Sequence, residues 1–158
     1  INQVPDISLV IIGSGPLKKE LLNQIQNLNL EKRIHILPEV DEETLHSFYE
    51  ACDMLVLPSV EKSETYGIVQ IEAMACGKPV INTELKTGTT FINQEGTTGL
   101  VVPPRDSKSL AEAIRNLANN VSLRAELGKN ARQRALNELT AEKMVERTYK
   151  VYNDLLKH

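Results

Sequence analysis

The chain has 158 residues, 41% of them hydrophobic and 25% charged, which is the profile of an ordinary soluble domain large enough to bury a core without a disulfide or metal staple. A formal net charge of -3 excludes a broad electrostatic surface for nucleic acid or anionic lipid, so an anionic ligand must be held locally by backbone amides or a few cations. No apolar run approaches the ~18–20 residues of a membrane span. Cys52 and Cys76, the two cysteines, sit in apolar contexts without a framework or zinc spacing, which predicts buried reduced thiols and fits a cytoplasmic protein.

In chain order, residues 7–12 are apolar and rich in β-branched side chains, predicting a buried parallel strand. Gly13-Ser14-Gly15-Pro16 turns the chain, with Pro16 placed to start a helix whose apolar positions are Leu17, Leu21, Leu22, Ile25 and Leu28. A second strand is expected over 34–37, a helix opened by Asp41-Glu42-Glu43, and a third strand over 54–57. A loop then leads to a helix over about 67–76, stopped by Gly77. Strands over 79–82 and 99–102 follow, then helices over 107–117, about 122–136 and 140–158. Alternating strands and helices specify an α/β fold, a doubly wound parallel sheet, with a helical C-terminal tail. The Lys/Arg/Glu-laced stretch from Leu123 to Glu138 reads as a solvated face.

The segment from Pro58 to Val80 carries the richest chemistry. It leaves the C-terminal end of a strand, where open α/β sheets bind ligands. Gly67 stands at a helix start, where the lack of a side chain lets a phosphate approach free amides. Glu64 and Glu72 flank those amides and would lie ~12 Å apart along the axis if the span were helical. Each carboxylate can accept hydrogen bonds from a polyol, a hexose at one end of a diphosphate and a ribose at the other. Isolated glutamates are ordinarily solvated surface charges. Glu72, however, is followed by Ala73-Met74-Ala75, which places it at a core edge in need of a partner.

Glu64-x7-Glu72, set within Pro-Ser-x4-Glu-x-aromatic-Gly-x4-Glu-Ala-Met-Ala-Cys-Gly-x-Pro-Val, resembles the signature of the family-four retaining glycosyltransferases of the GT-B fold. Gly13-Ser14-Gly15-Pro16 and the run from Gly96 to Pro104 resemble that family's flanking motifs, in the same order. The resemblance covers about residues 7–117 and implies the Rossmann-like, donor-binding half of a GT-B enzyme: residues 1–139 as the nucleotide-sugar domain, residues 140–158 as a helix resting partly on an absent N-terminal acceptor domain. It implies that Glu64 contacts the donor hexose as a positioning rather than nucleophilic group, that Gly67 and Ile68 after Tyr66 hold the diphosphate, and that Glu72 takes the ribose. The segment from Leu37 to Val40 would flank the base, and the Gly13–Gly15 turn belongs to the same donor site.

The implied partner is a UDP- or GDP-hexose, transferred with retention to a hydroxyl acceptor in polysaccharide or glycoconjugate synthesis. No cofactor or metal is implied, and membrane association of the parent enzyme stays open. The chain departs from the pattern at Lys86-Thr87 and Thr90, where many members carry Gly-Gly and a glutamate, and at Tyr66, where Phe is commoner. The loop 84–90 therefore leaves the donor's identity open. The family's basic pair after its first strand is expected to lie before Ile1, so the chain alone should bind donor weakly and transfer nothing.

Two other readings compete with this one. One is a sugar-nucleotide epimerase-type enzyme. The other is a dinucleotide-binding oxidoreductase domain, suggested by Gly13-Ser14-Gly15 with Glu39 ending the next strand, but position 18 is lysine where that fingerprint needs glycine. His35, His46 and His158 have no ligand spacing, and Lys78 reads as a surface residue.

Overall fold

A computed structural model describes residues 1, 4 and 6–157; His158 lies outside the described residues. The chain divides into two units, Ile1–Ala51 and Cys52–His158.

The first unit is a β-α-β-α run: β1 (Leu9–Ile12), α1 (Lys18–Asn27), β2 (Ile34–Leu37) and α2 (Glu42–Ala51). β1 and β2 are parallel, with Leu9 opposite Ile34 and Ile12 opposite Leu37. β1 begins two residues later than its apolar run. The Ile7 carbonyl accepts from Arg33 Nε at 3.0 Å, and the same guanidinium reaches the carbonyls of Ile1 and Val4. α1 ends where Asn29 enters the left-handed region, φ 53, and the amides of Asn29 and Leu30 close back onto Gln26 and Ile25. Of its expected apolar stripe only Ile25 is buried and Leu21 half-buried. Leu17 precedes the helix and Leu28 caps it, which leaves both exposed, and Leu22 falls off the inward face.

The second unit holds β3 (Leu55–Leu57), α3 (Ile68–Ala75), β4 (Val80–Thr83), α4 (Thr89–Ile92), β5 (Gly99–Val102), α5 (Ser107–Asn119), α6 (Val121–Glu138) and α7 (Ala141–Leu156). The strands are parallel in the order β3-β4-β5, and β4 is buried along its whole length. β4 starts at Val80 because Pro79 has no N–H to give the ladder. Met74, Val80, Ile92, Ala131 and Ala135 form the core, with Leu55, Ile71, Ala75 and Leu139 packed on it.

Polar groups are threaded through this core. Asn93 Nδ2 donates to Asn82 Oδ1 at 2.7 Å and to the carbonyls of Val80 and Leu100, while the Thr98 hydroxyl donates to Asn93 Oδ1 at 2.8 Å. α3 ends with Gly77 at φ 73, its amide and that of Lys78 bonded to Met74 and Ala73, as the sequence predicts.

Four expectations change here. α6 is not simply a solvated face: Leu127, Gly128, Ala131, Arg134 and Ala135 are buried. α4 occupies what the sequence presents as loop. It is held by Arg134, whose Nη2 donates to Phe91 O at 2.7 Å and whose Nε donates to Ile92 O at 3.1 Å, while the guanidinium lies over the Phe91 ring and pairs with Glu138. Cys52 and Cys76 are not joined in a disulfide and are half-buried rather than buried, and burial pushes the Cys52 thiol up. Lys78, read as a surface residue, is half-buried as well. In α7 no residue is buried, and Met144, Val145, Tyr149, Tyr152, Leu155 and Leu156 are exposed.

Candidate functional site

The loop after β3 is built to present a helix N-terminus. Gly67 occupies the cap of α3 at φ 75, ψ 61, a left-handed conformation that favours glycine, and no side chain among the described residues caps the helix. A Cβ there would fall 2.6 Å from Gln70 Nε2 and 2.9 Å from Leu57 Cδ2, so the position is closed to a side chain by packing as well as by φ. The Gln70 amide closes the first turn onto Gly67 O at 2.9 Å, and the amides ahead of it stand at the positive end of the helix dipole. Glu64, Thr65, Tyr66, Gly67, Ile68 and Val69 line an open depression of about 240 Å³ over this turn.

Glu64 is half-buried, whereas Tyr66 and Ile68 are exposed. Glu72 lies on the second turn of α3 and is exposed, which corrects the expectation that it sits at the edge of a core. Its helix turns Ala73 and Met74 inward, both fully buried, and leaves Glu72 on the outer face. The span from Glu64 is not helical either. Only Ile68 to Glu72 is, which amounts to about 6 Å along the axis, and Glu64 lies on the loop before the left-handed glycine.

Sequence reasoning missed what holds this loop. Thr83 Oγ1 donates to the Ser59 carbonyl, Arg105 pairs with Glu61, Thr87 Oγ1 donates to Glu64 O at 3.0 Å and the Gly88 amide to Thr65 O at 2.7 Å. Gln70, fully buried in the first turn of α3, donates to Tyr66 O at 3.3 Å and Thr89 O at 3.4 Å, while its Oε1 has no partner among the described residues. A lone glutamine inside Ile68-Val69-Gln70-Ile71 was the available signal.

In the first unit, the turn after β1 and the segment after β2 meet. The Gly13 amide donates to Leu37 O at 3.1 Å, and the Ser14 hydroxyl donates to Glu39 Oε1 at 3.0 Å. Gly13 has φ 136, and a Cβ on Gly13 or Gly15 would meet nothing within 4 Å, so this backbone is open to an approaching group. Leu37 and Val40 are half-buried. Glu39 lies two residues past the strand, not at its end. His35 is exposed on β2, and His46 pairs with Glu50 on α2 at 3.5 Å. Among the described residues no three His, Cys, Asp or Glu side chains gather as a metal site, and no helix is long and apolar enough to cross a membrane.

The family model described as glycosyl transferases group 1 matches residues 1–134. An O-antigen chain mannosyltransferase C of Escherichia coli is 34% identical over 95% of this chain, which spans 40% of that protein's length. The fold of a sucrose-phosphate synthase from Thermosynechococcus elongatus superposes with a TM-score of 0.86 at 32% identity, covering 99% of this chain and 40% of that one. The Anabaena protein HepE, solved in complex with UDP-glucose, gives a TM-score of 0.85 at 26% identity, covering 97% of this chain and 43% of that one.

Proposed function

The chain belongs to the glycosyl transferases group 1 family, and from that premise we propose that it is the donor-binding part of a retaining enzyme that moves a hexose from a nucleotide diphosphate sugar to a hydroxyl acceptor in polysaccharide or glycoconjugate synthesis. The observation that carries this reading is the uncapped N-terminus of α3 behind left-handed Gly67, with Glu64 before it and Glu72 beyond it. A UDP-glucose complex among the similar folds supports a nucleotide-sugar ligand.

In this reading the amides of Gly67 and Ile68 hold the diphosphate, the exposed Glu72 carboxylate takes the ribose hydroxyls, and half-buried Glu64 orients the hexose. Leu37 to Val40 flank the base, beside the open backbone of Gly13 and Gly15. As the sugar C1–O bond to the diphosphate breaks, negative charge grows on the leaving oxygen. The fixed helix amides stabilise that charge without reorganising. The acceptor oxygen forms the new bond to C1 and passes its proton to the departing diphosphate oxygen. Because the chain spans 40% of its relative's length, we place the acceptor-side domain outside these residues, with residues 1–139 as the donor domain and 140–158 as a helix resting partly on its partner. We place the protein in the cytoplasm, consistent with two cysteines that are not joined in a disulfide.

Titration calorimetry with UDP, GDP, their hexose derivatives and NAD tests the assignment. Glu72→Ala is expected to weaken the nucleoside diphosphate by tenfold or more, the loss of charge-assisted hydrogen bonds worth about 1.5–3 kcal/mol. Glu64→Ala is expected to leave it nearly unchanged and to weaken only the nucleotide sugar. Equal losses for both variants, or preference for NAD, would overturn the reading. Assay of the chain alone is expected to show no turnover.

A further inference from the structure

Three successive carbonyls of the candidate site, those of Glu64, Thr65 and Tyr66, are each taken by a donor on the inner side of the loop: Thr87 Oγ1 at 3.0 Å, the Gly88 amide at 2.7 Å and Gln70 Nε2 at 3.3 Å. The turn that supplies two of them is shaped for the task. Lys86, a non-glycine residue, sits in the left-handed region at φ 55. A Cβ on Gly88 would lie 2.7 Å from Thr65 O and 2.8 Å from Tyr66 Cδ2, so the two backbones touch. The Thr87 hydroxyl has one proton, which goes to Glu64 O. In its 3.1 Å contact with the hydroxyl of Thr89, buried at 1% exposure, Thr89 is therefore the donor. Thr90 Oγ1 closes the turn onto Thr87 O at 3.2 Å.

We infer that the turn 86–89 braces the donor loop and that Thr87 is the positioning residue for Glu64, fixing its backbone so that its carboxylate meets the sugar in one orientation. This rests on the donor-site reading above. Carbonyls turned inward also keep acceptor dipoles away from an anion at the α3 amides. A positioned group loses much of its value when its support is loose. The loss from removing Thr87's hydroxyl therefore falls on the sugar and spares the diphosphate.

The test uses the full chain, its Thr87→Val and Thr87→Ser variants, and titration with UDP, GDP, UDP-glucose and GDP-mannose. For the sugar-nucleotide base that the unaltered chain prefers, Thr87→Val is expected to cut the affinity ratio of nucleotide sugar to nucleoside diphosphate by about tenfold, the loss of one hydrogen bond to a positioned group. Thr87→Ser restores it. In a Glu64→Ala background Thr87→Val is expected to change the ratio no further. A purely structural role would lower the Tm and weaken both ligands in proportion, leaving the ratio intact, and that result overturns the inference. If Thr87→Val does not fold, Thr87→Ala read in the same two backgrounds carries the test. If the unaltered chain takes up no nucleotide at all, the donor-site reading falls and this inference with it.

Discussion

Gly128→Ala sets two effects of opposite sign against each other. Gly128 is buried in the middle of α6, where alanine is the better helix former by about 1 kcal/mol. Against that, a Cβ at Gly128 would stand 2.2 Å from the Gly77 carbonyl oxygen, 3.2 Å from its carbon and 3.4 Å from Pro79 Cδ. An ordinary carbon–oxygen contact is about 3.3 Å, so α6 and the end of α3 must part by roughly 1 Å. The obstacle is backbone, held by the Gly77–Met74 and Lys78–Ala73 hydrogen bonds, and cannot rotate away as a side chain would. Overpacking of this kind costs about 1–3 kcal/mol, and a rigid obstacle puts the cost near the upper end. The net expectation is a loss of about 2 kcal/mol, or a Tm lower by about 4–8 °C. Calorimetry alongside Lys129→Ala, an exposed neighbour expected to be neutral, reads it directly. A Tm unchanged or raised would show that helix propensity wins and that the approach of α6 to Gly77 is not limited by backbone.

Arg134→Met leaves the Phe91 and Ile92 carbonyls unpaired and is expected to lose about 3 kcal/mol by urea unfolding, with Arg134→Lys recovering only part, since an ammonium lacks the planar fork. Asp106 caps α5, and the Ser109 hydroxyl, then the Ser109 and Lys108 amides, hold its carboxyl below the ordinary 3.8. A depressed folded value means its stabilisation is present above 3.8 and fades as pH falls through the folded value. The Tm gap between Asp106→Ala and the unaltered chain should therefore be flat near neutrality and close in acid, whereas Asp106→Asn should keep the cap at all pH. Burial, reinforced by Asp53 and Cys76 and opposed by Lys78, raises the Cys52 thiol, so alkylation at pH 8 followed by mass spectrometry should find Cys52 slow in buffer and fast in urea.

Local chemistry made much of the fold legible. Residues 34–37 and 99–102 are strands with the bounds their apolar runs give, and Gly77 stops α3 where a left-handed cap belongs. What escaped depends on distant partners. Thr89-Thr90-Phe91-Ile92 contains poor helix formers and is too short to hold itself, so α4 exists by courtesy of Arg134, 42 residues beyond Ile92. Arg134 in turn looks like one more charge in a solvated helix until α6 is seen to bury it. In the candidate site, Gly67 announces itself because a left-handed cap needs glycine. Of the brace only Gln70 leaves a trace, as a polar residue in an apolar run, because Thr87 and Gly88 act through hydrogen bonds to backbone carbonyls that carry no side-chain signature.

The buried trio Asn82, Asn93 and Thr98 has a consequence for how this core can change over generations. Each member satisfies another: Thr98 fills Asn93 Oδ1, and Asn93 fills Asn82 Oδ1 and two strand carbonyls. Replacing Asn93 or Thr98 alone by an apolar residue strands the Asn82 or the Asn93 side-chain oxygen away from water, at about 1–3 kcal/mol, whereas an all-apolar set of similar volume leaves neither oxygen behind. The intermediate steps are the obstacle, not the destination. Drift at Asn93 and Thr98 should therefore arrive in concert or wait on a change at Asn82, and a selection for stability that permits only one change at a time should leave those two untouched while Asn82 stands and the aliphatic residues around them vary freely.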